Sequence, residues 1–267
     1  MQVIERGRGD PLVIVPGIQG RWEWIQGVVD LLAQTHRVLT FSLGDEPAAD
    51  WGALRPGLDG YADQIDAALA SRGIARAAIC GISFGGLVAL RFAARAPERV
   101  SSLVLVSVPG PDWHLSEQHE LYTKRPWLFA PLFAVGALQR LHREIRVVFP
   151  RAADQLRFAA GFLATAMLAP GSAARMARRA RLIGTYDRLS DCIAVRCQTL
   201  IIHGDPALDH VVDVGGTRQY SRLIGGARVA VLERTGHLGF ATRPHEFARI
   251  VRQFLSGEWL SHHGSAA

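Results

Sequence analysis

One stretch constrains the fold more than any other: Ala78-Ile79-Cys80-Gly81-Ile82-Ser83-Phe84-Gly85-Gly86-Leu87-Val88-Ala89-Leu90. An apolar run reaches Gly81, and a helical pattern starts just after Ser83. Residues Gly81 to Gly85 fit G-x-S-x-G, the pattern of a tight strand-to-helix turn that lifts a serine hydroxyl above a sheet edge. A serine on such a turn sits in a strained backbone conformation, and side chains two residues either side would collide with the crossing backbone. Glycine removes them. The helix that follows offers backbone N–H groups to a developing oxyanion, Phe84 N–H first. A glycine-rich turn with an ordinary serine is the other reading of these five residues alone; the strand before and helix after favour the reactive one.

The rest of the chain repeats the strand-helix alternation on both sides of a different middle. Leu12-Val13-Ile14-Val15 reads as a buried strand ending in the loop Pro16-Gly17-Ile18-Gln19-Gly20, which opens toward Trp22 and Trp24. A glycine there lets the backbone approach a ligand, and a second oxyanion donor would come from this loop. A helical pattern through Ile25 to Leu32, a strand over Arg37 to Leu43 and a loop from Gly44 to Gly60 follow. Tyr61 to Ser71 has helical spacing, then come the serine turn and a β-rich run over Ser101 to Val108. After Pro109-Gly110-Pro111 long amphipathic segments take over, with breaks near Pro150 and Pro170-Gly171. Strands resume at Thr199 to Gly204 and Arg228 to Leu232, with helical patterns over Thr217 to Leu223 and Pro244 to Phe254. The expected fold class is α/β, a doubly wound, mostly parallel sheet with ligands at the carboxyl ends of its strands and an inserted all-helical cap. The expected division is a core of 1–109 and 191–260, a cap of 110–190, and a disordered tail of 261–267.

Charge and cysteine content narrow the partners. The 267 residues carry a formal charge of +6. Between Gly110 and Ser190 there are 12 Lys and Arg against 6 Asp and Glu, and the rest of the chain is balanced. Much of this excess is Arg175, Arg178, Arg179 and Arg181, read as a solvated helix face. No base-stacking or groove-reading motif accompanies it, so no nucleic-acid partner is expected. No apolar run nears the ~20 residues of a membrane span, and the first residues lack a signal-peptide layout. Cys80, Cys192 and Cys197 form no disulfide framework or paired metal spacing, which points to a reduced, cytoplasmic setting, without metal or other cofactor.

A reactive serine needs a base, and the base an orienting acid. The loop after the Thr199 strand carries Asp205, Asp209 and Asp213; the loop after the Arg228 strand carries Gly236-His237-Leu238. With the Pro16-Gly17-Ile18 loop and the Gly81 to Gly85 turn, these make four motifs in order, and over nearly its whole length the chain resembles the α/β-hydrolase superfamily. That resemblance implies Ser83 as nucleophile, His237 as general base, Asp209 as acid, and the Ile18 and Phe84 N–H groups as oxyanion hole. Asp209-His210-Val211-Val212 fits the family's usual acid followed by two apolar residues; Asp205 lies nearer the strand end and stays open as an alternative. Cys80 reads as buried core.

The resemblance further implies ester hydrolysis of a small to medium hydrophobic substrate through an acyl-enzyme. C–C bond or lactone hydrolysis by the same triad is the second reading, and a non-catalytic small-ligand receptor the third. Gln19, Trp24, Trp113, Trp127, Phe133, Phe162 and Leu238 are the candidate pocket residues.

Overall fold

The structure, a computed structural model, describes residues 2–49, 51–128 and 141–258. Seven strands form one sheet: β1 (Ile4–Arg6), β2 (Pro11–Val15), β3 (Arg37–Thr40), β4 (Ala77–Ile82), β5 (Val100–Val106), β6 (Gln198–His203) and β7 (Arg228–Val231). Their spatial order is β1-β3-β2-β4-β5-β6-β7. Every pair is parallel except β1 with β3.

The strand sequences explain why both faces are covered. Side chains alternate across a strand, and in β2 Leu12 and Ile14 join one buried cluster while Val13 and Val15 join the other. β4, β5 and β6 divide likewise: Cys80, Val104 and Ile202 face one way, Ile79, Leu105 and Ile201 the other. A run apolar at every position thus serves two cores, as parallel strands between helical layers require. On one face lie α1 (Gln26–Leu32), α10 (Gly239–Thr242) and α11 (Pro244–Leu255). On the other lie α2 (Gly57–Ala70), α3 (Phe84–Arg95), α8 (Arg188–Ala194) and α9 (Val214–Leu223). α11 shows how pattern becomes packing: Phe247, Ile250, Val251 and Phe254 recur at helical spacing and are all buried.

Between β5 and β6 the described elements are helices: α4 (Glu117–Lys124), α5 (helical residues 141–148), α6 (Ala152–Leu168), α7 (Ala173–Thr185) and α8. The expected tail, 261–267, lies outside the described residues.

Two expectations about element boundaries change. α2 starts at Gly57, inside the stretch read as loop, because Leu58 and Tyr61 bury against the core and override two helix-weak glycines. β3 stops at Thr40, although Phe41 and Leu43 stay fully buried beyond it.

The order of strands positions the site. From β2 the chain moves outward to β3 and β1's edge, then returns past β2 to β4 and winds the other way. The carboxyl ends of β2 and β4 therefore flank the point where winding reverses, the place such sheets open a crevice. Val15 pairs with Gly81, which brings the loop after β2 beside the turn after β4.

Candidate active site

Ser83 follows β4 directly and starts α3. Its φ of 53° and ψ of −117° lie where a side chain rarely goes, a strain of roughly 1–3 kcal/mol. What holds it there is close packing on both sides. A Cβ on Gly81 would overlap the Gly85 carbonyl and approach Gly86 Cα to 2.5 Å; one on Gly85 would overlap the carbonyls of Val15 and Pro16. Ser83 N–H donates to the Val106 carbonyl at 2.8 Å. Phe84, fully buried, meets the Tyr61 ring edge-on at 5.4 Å, which fixes the first residue of α3.

The loop after β2 runs close by. A Cβ on Gly17 would lie 3.4 Å from the Ile82 carbonyl and 3.7 Å from Ser83 Cβ. Gly17, the residue before Ile18, is thus packed against the serine turn, and Phe84 follows Ser83 directly in the chain.

His237 sits in the loop between β7 and α10. Its Nε2 is 3.2 Å from Ser83 Oγ. Its Nδ1 is 3.4 Å from Asp209 Oδ2. That second contact is an ion-pair approach and not a formed hydrogen bond, and neither atom has a hydrogen-bond partner among the described residues. Such contacts tighten when substrate arrives.

The three aspartates after β6 have three separate employments. Asp205 Oδ1 accepts from Ala207 N–H at 2.8 Å and shapes the turn. Asp213 caps α9, accepting from Gly215 and Gly216 N–H. Asp209 alone reaches His237; its side chain is fully buried, and its Oδ1 accepts from Val211 at 3.0 Å and Val212 at 3.1 Å. Burial pushes this carboxyl up, but the His237 imidazole and the two backbone N–H groups outweigh it, leaving it below the ordinary aspartate value. His203 is buried with Nδ1 2.6 Å from the Gly204 carbonyl oxygen, and His210 is exposed, 3.4 Å from an Arg143 nitrogen. Burial pushes the Cys80 thiol up to about 12 and keeps it inert.

The aromatic residues divide. Trp24 and Phe162 meet edge to face at 4.9 Å, and Trp24 Nε1 donates to the Ala169 carbonyl at 3.0 Å. Leu238 is buried next to His237, and Gln19 Oε1 would lie 3.3 Å from a Cβ on Gly17. Trp113 packs against the cluster under α2 and α3. Trp127 is 76% exposed, at the surface instead of facing a pocket. Phe133 lies outside the described residues.

Two charged residues that the sequence reading did not single out lie against the active-site loops. Arg179 of α7, read as part of a solvated face, is fully buried and donates to the Ile18 carbonyl at 2.7 Å. It turns inward with Ala177 and Ile183, leaving Arg178 exposed. Glu144 of α5 is also buried, accepting from Leu238 N–H at 3.2 Å and Thr242 Oγ1 at 2.7 Å. The i, i+4 pair Arg179 and Ile183 was the one visible hint of the first; the second had none.

Comparison with other proteins identifies the family. The profile of the Alpha/beta hydrolase family matches residues 12–250. A pimeloyl-[acyl-carrier protein] methyl ester esterase of Nitrosomonas europaea is 29% identical over 250 residues, 90% of this chain and 94% of that one. A 2-hydroxy-6-oxo-2,4-heptadienoate hydrolase of Pseudomonas putida is 25% identical over 264 residues, 94% and 91% of the two chains. The crystal structure of an enol-lactonase from Burkholderia xenovorans superposes with a TM-score of 0.77 at 18% identity, covering 96% of each chain, a likeness of fold. With the profile spanning nearly the whole sheet and all three loops, the chain belongs to the alpha/beta hydrolase family.

Proposed function

We propose that the chain is a serine hydrolase that cleaves a carboxylic ester through an acyl-enzyme. The observation that carries this is the chain of contacts Ser83 Oγ, His237 Nε2, His237 Nδ1 and Asp209 Oδ2, at 3.2 and 3.4 Å, assembled from the ends of three strands. Ser83 Oγ attacks the ester carbonyl as His237 Nε2 takes its proton. Asp209, ionised and buried, faces Nδ1 and stabilises the imidazolium that forms. Ile18 and Phe84 N–H groups receive the oxyanion. His237 then passes the proton to the departing alcohol. Water, deprotonated by His237, attacks the acyl-serine and releases the acid.

The helices of 110–190 act as a cap on the core formed by 1–109 and 191–260. Leu238 beside His237, with the pair of Trp24 and Phe162, provides apolar side chains that would suit a small to medium hydrophobic acyl or alcohol group. Three free cysteines accord with a reducing compartment. Among the described residues no helix is long and apolar enough to cross a membrane.

The relative acting on a C–C bond favours a second reading, cleavage of a C–C bond by the same residues. Turnover of a p-nitrophenyl ester series of rising acyl length, wild type beside Ser83→Ala, tests the first. Ester turnover lost in the variant supports it, and the length profile sizes the pocket. Equal turnover in both proteins would refute it. No turnover in either, with cleavage of a vinylogous 1,5-diketone instead, would move the assignment to C–C hydrolysis.

A further inference from the structure

Buried charge is costly, and an ion pair inside a protein adds little stability over apolar residues of the same volume. The described part of the cap nevertheless buries the ionisable side chains of Glu144, Arg179 and Arg188; Arg188 serves the Pro111 and Ile183 carbonyls, while the other two each end on the backbone of a different active-site loop. Arg179 donates to the carbonyl of Ile18. The rest of its guanidinium meets Asp45 and, at 2.7 Å, Glu46, in the segment after β3. Arg175, one turn earlier on α7, adds a second cation 3.5 Å from Glu46, so two cations face two carboxylates. The loop is shaped for this. Gly20 has a φ of 77°, and a Cβ there would overlap the Arg179 guanidinium. The loop's own bonds, Gly20 N–H to the Gly17 carbonyl and Leu43 N–H to the Gly20 carbonyl, close it around the same group.

Glu144 makes the matching contact on the opposite loop. Its carboxylate accepts from Leu238 N–H, the residue after His237, and from Thr242 in α10; the Gly236 amide faces it as well. The residues before and after His237 thus both lie against one cap side chain, Leu238 through its N–H and Gly236 where a Cβ would come 2.9 Å from Glu144 Oε2.

We propose that Arg179 and Glu144 are positioning residues through which the docked cap completes the active site, Arg179 anchoring the oxyanion loop at the peptide that follows the Ile18 N–H and Glu144 fixing the loop that carries His237. Neither touches the reacting atoms. Their effect is on transition-state geometry: the Ile18 carbonyl and the Ile18 N–H lie in adjoining peptide planes, so anchoring the first restricts rotation at Ile18 and with it the orientations open to the second. The proposal rests on the hydrolase reading above.

Two measurements test it on the full-length protein. The first is steady-state turnover of a p-nitrophenyl ester, with active sites titrated by a fluorophosphonate probe. The second is amide hydrogen exchange at Gly20, Leu43 and Leu238. The variants are Arg179→Met with Glu46→Gln, which removes one charge of each sign; Arg179→Lys; Glu144→Ala; and Glu144→Gln. The expected result is a fall in kcat of about 10- to 100-fold per active site with KM changed less than about threefold, as for loss of an interaction made in the transition state. Exchange should quicken about tenfold or more, at Gly20 and Leu43 for the Arg179 double variant and at Leu238 for Glu144→Ala. Arg179→Lys and Glu144→Gln should recover part of both. If the charge-balanced double does not fold, Arg179→Lys alone decides, with an intermediate fall in kcat expected. Unchanged kcat per active site overturns the proposal, and so does a fall in kcat without faster exchange. If Ser83→Ala turned over ester as well as wild type, the hydrolase reading would fail, and the exchange rates would still decide whether the cap holds the loops.

Discussion

The sheet core and the helices between β5 and β6 are stabilised by different means. In the core, β2 is fully buried from Leu12 to Val15, and α3 buries nine of its residues; removal of water from apolar surface dominates there. α6, although rich in Ala, Leu, Phe and Met, buries no residue, and Leu156, Leu163, Met167 and Leu168 are more than half exposed. Beside apolar contacts such as Ile183 and Leu182 of α7, the helices between β5 and β6 meet the core through specific polar links, Trp24 to Ala169, Arg179 to Ile18 and Glu144 to Leu238. The lesson is a division of labour. Strand ends set where Ser83, Asp209 and His237 stand, while directional bonds from the helices between β5 and β6 reach the loops after β2 and β7.

The largest effect that sharpens this comparison lies at the acid. Asp209→Asn should lower kcat by about 10²- to 10⁴-fold, while Asp205→Asn, which disturbs only a turn, should stay within about tenfold. Steady-state kinetics with active-site titration checks the pair, and the reverse ranking would reassign the acid. Next come two glycines treated alike. Gly81→Ala forces a methyl group onto the α3 backbone and should cost about 3 kcal/mol or more in urea unfolding. Gly161→Ala in α6 meets nothing within 4 Å and should stabilise by up to about 1 kcal/mol through helix propensity. A matching loss at Gly161 would mean the cap is packed as tightly as the core.

Smaller still is the effect of polarity on α6. Leu156→Gln and Leu163→Gln should each change unfolding free energy by less than about 0.5 kcal/mol, whereas Leu103→Gln in β5 should prevent folding or nearly so. The smallest effect is one of pH. Burial raises the Glu144 carboxyl above its ordinary 4.5, against the pull of Thr242, the Leu238 and Gly236 amides and His237. The native state then holds this proton longer than the unfolded chain, so its contribution to stability falls as pH rises from about 4.5 through the raised folded value. Thermal melts from pH 4.5 to 7 should fall more steeply for wild type than for Glu144→Gln; parallel curves would contradict this.

Much of this was readable in the chain because it is local. G-x-S-x-G states its own backbone problem, and a Gly-His pair after an apolar run places itself at a strand end. The proposed acid was less legible, since Asp205, Asp209 and Asp213 share one loop and only tertiary contact separates the turn former, the neighbour of His237 and the helix cap. Arg179 was barely legible, its spacing to Ile183 being the one hint. In sequence it is one of four similar arginines, and the choice between solvent and interior depends on which side of α7 meets the segment after β3. Glu144 stands between Arg143 and Arg146, more than ninety positions from the histidine loop it serves. Trp127 shows the converse error: an aromatic residue in an apolar stretch was assigned to a pocket, and it lies at the surface.

The central claim is that Ser83 carries the acyl group. Its most direct test is peptide mass spectrometry of the protein quenched in acid during turnover of a p-nitrophenyl ester. The account predicts one acyl adduct, on the peptide containing Ser83, that is absent in Ser83→Ala and much reduced in His237→Gln. An adduct on another residue, or ester turnover with Ser83 unmodified at every time point, would contradict it.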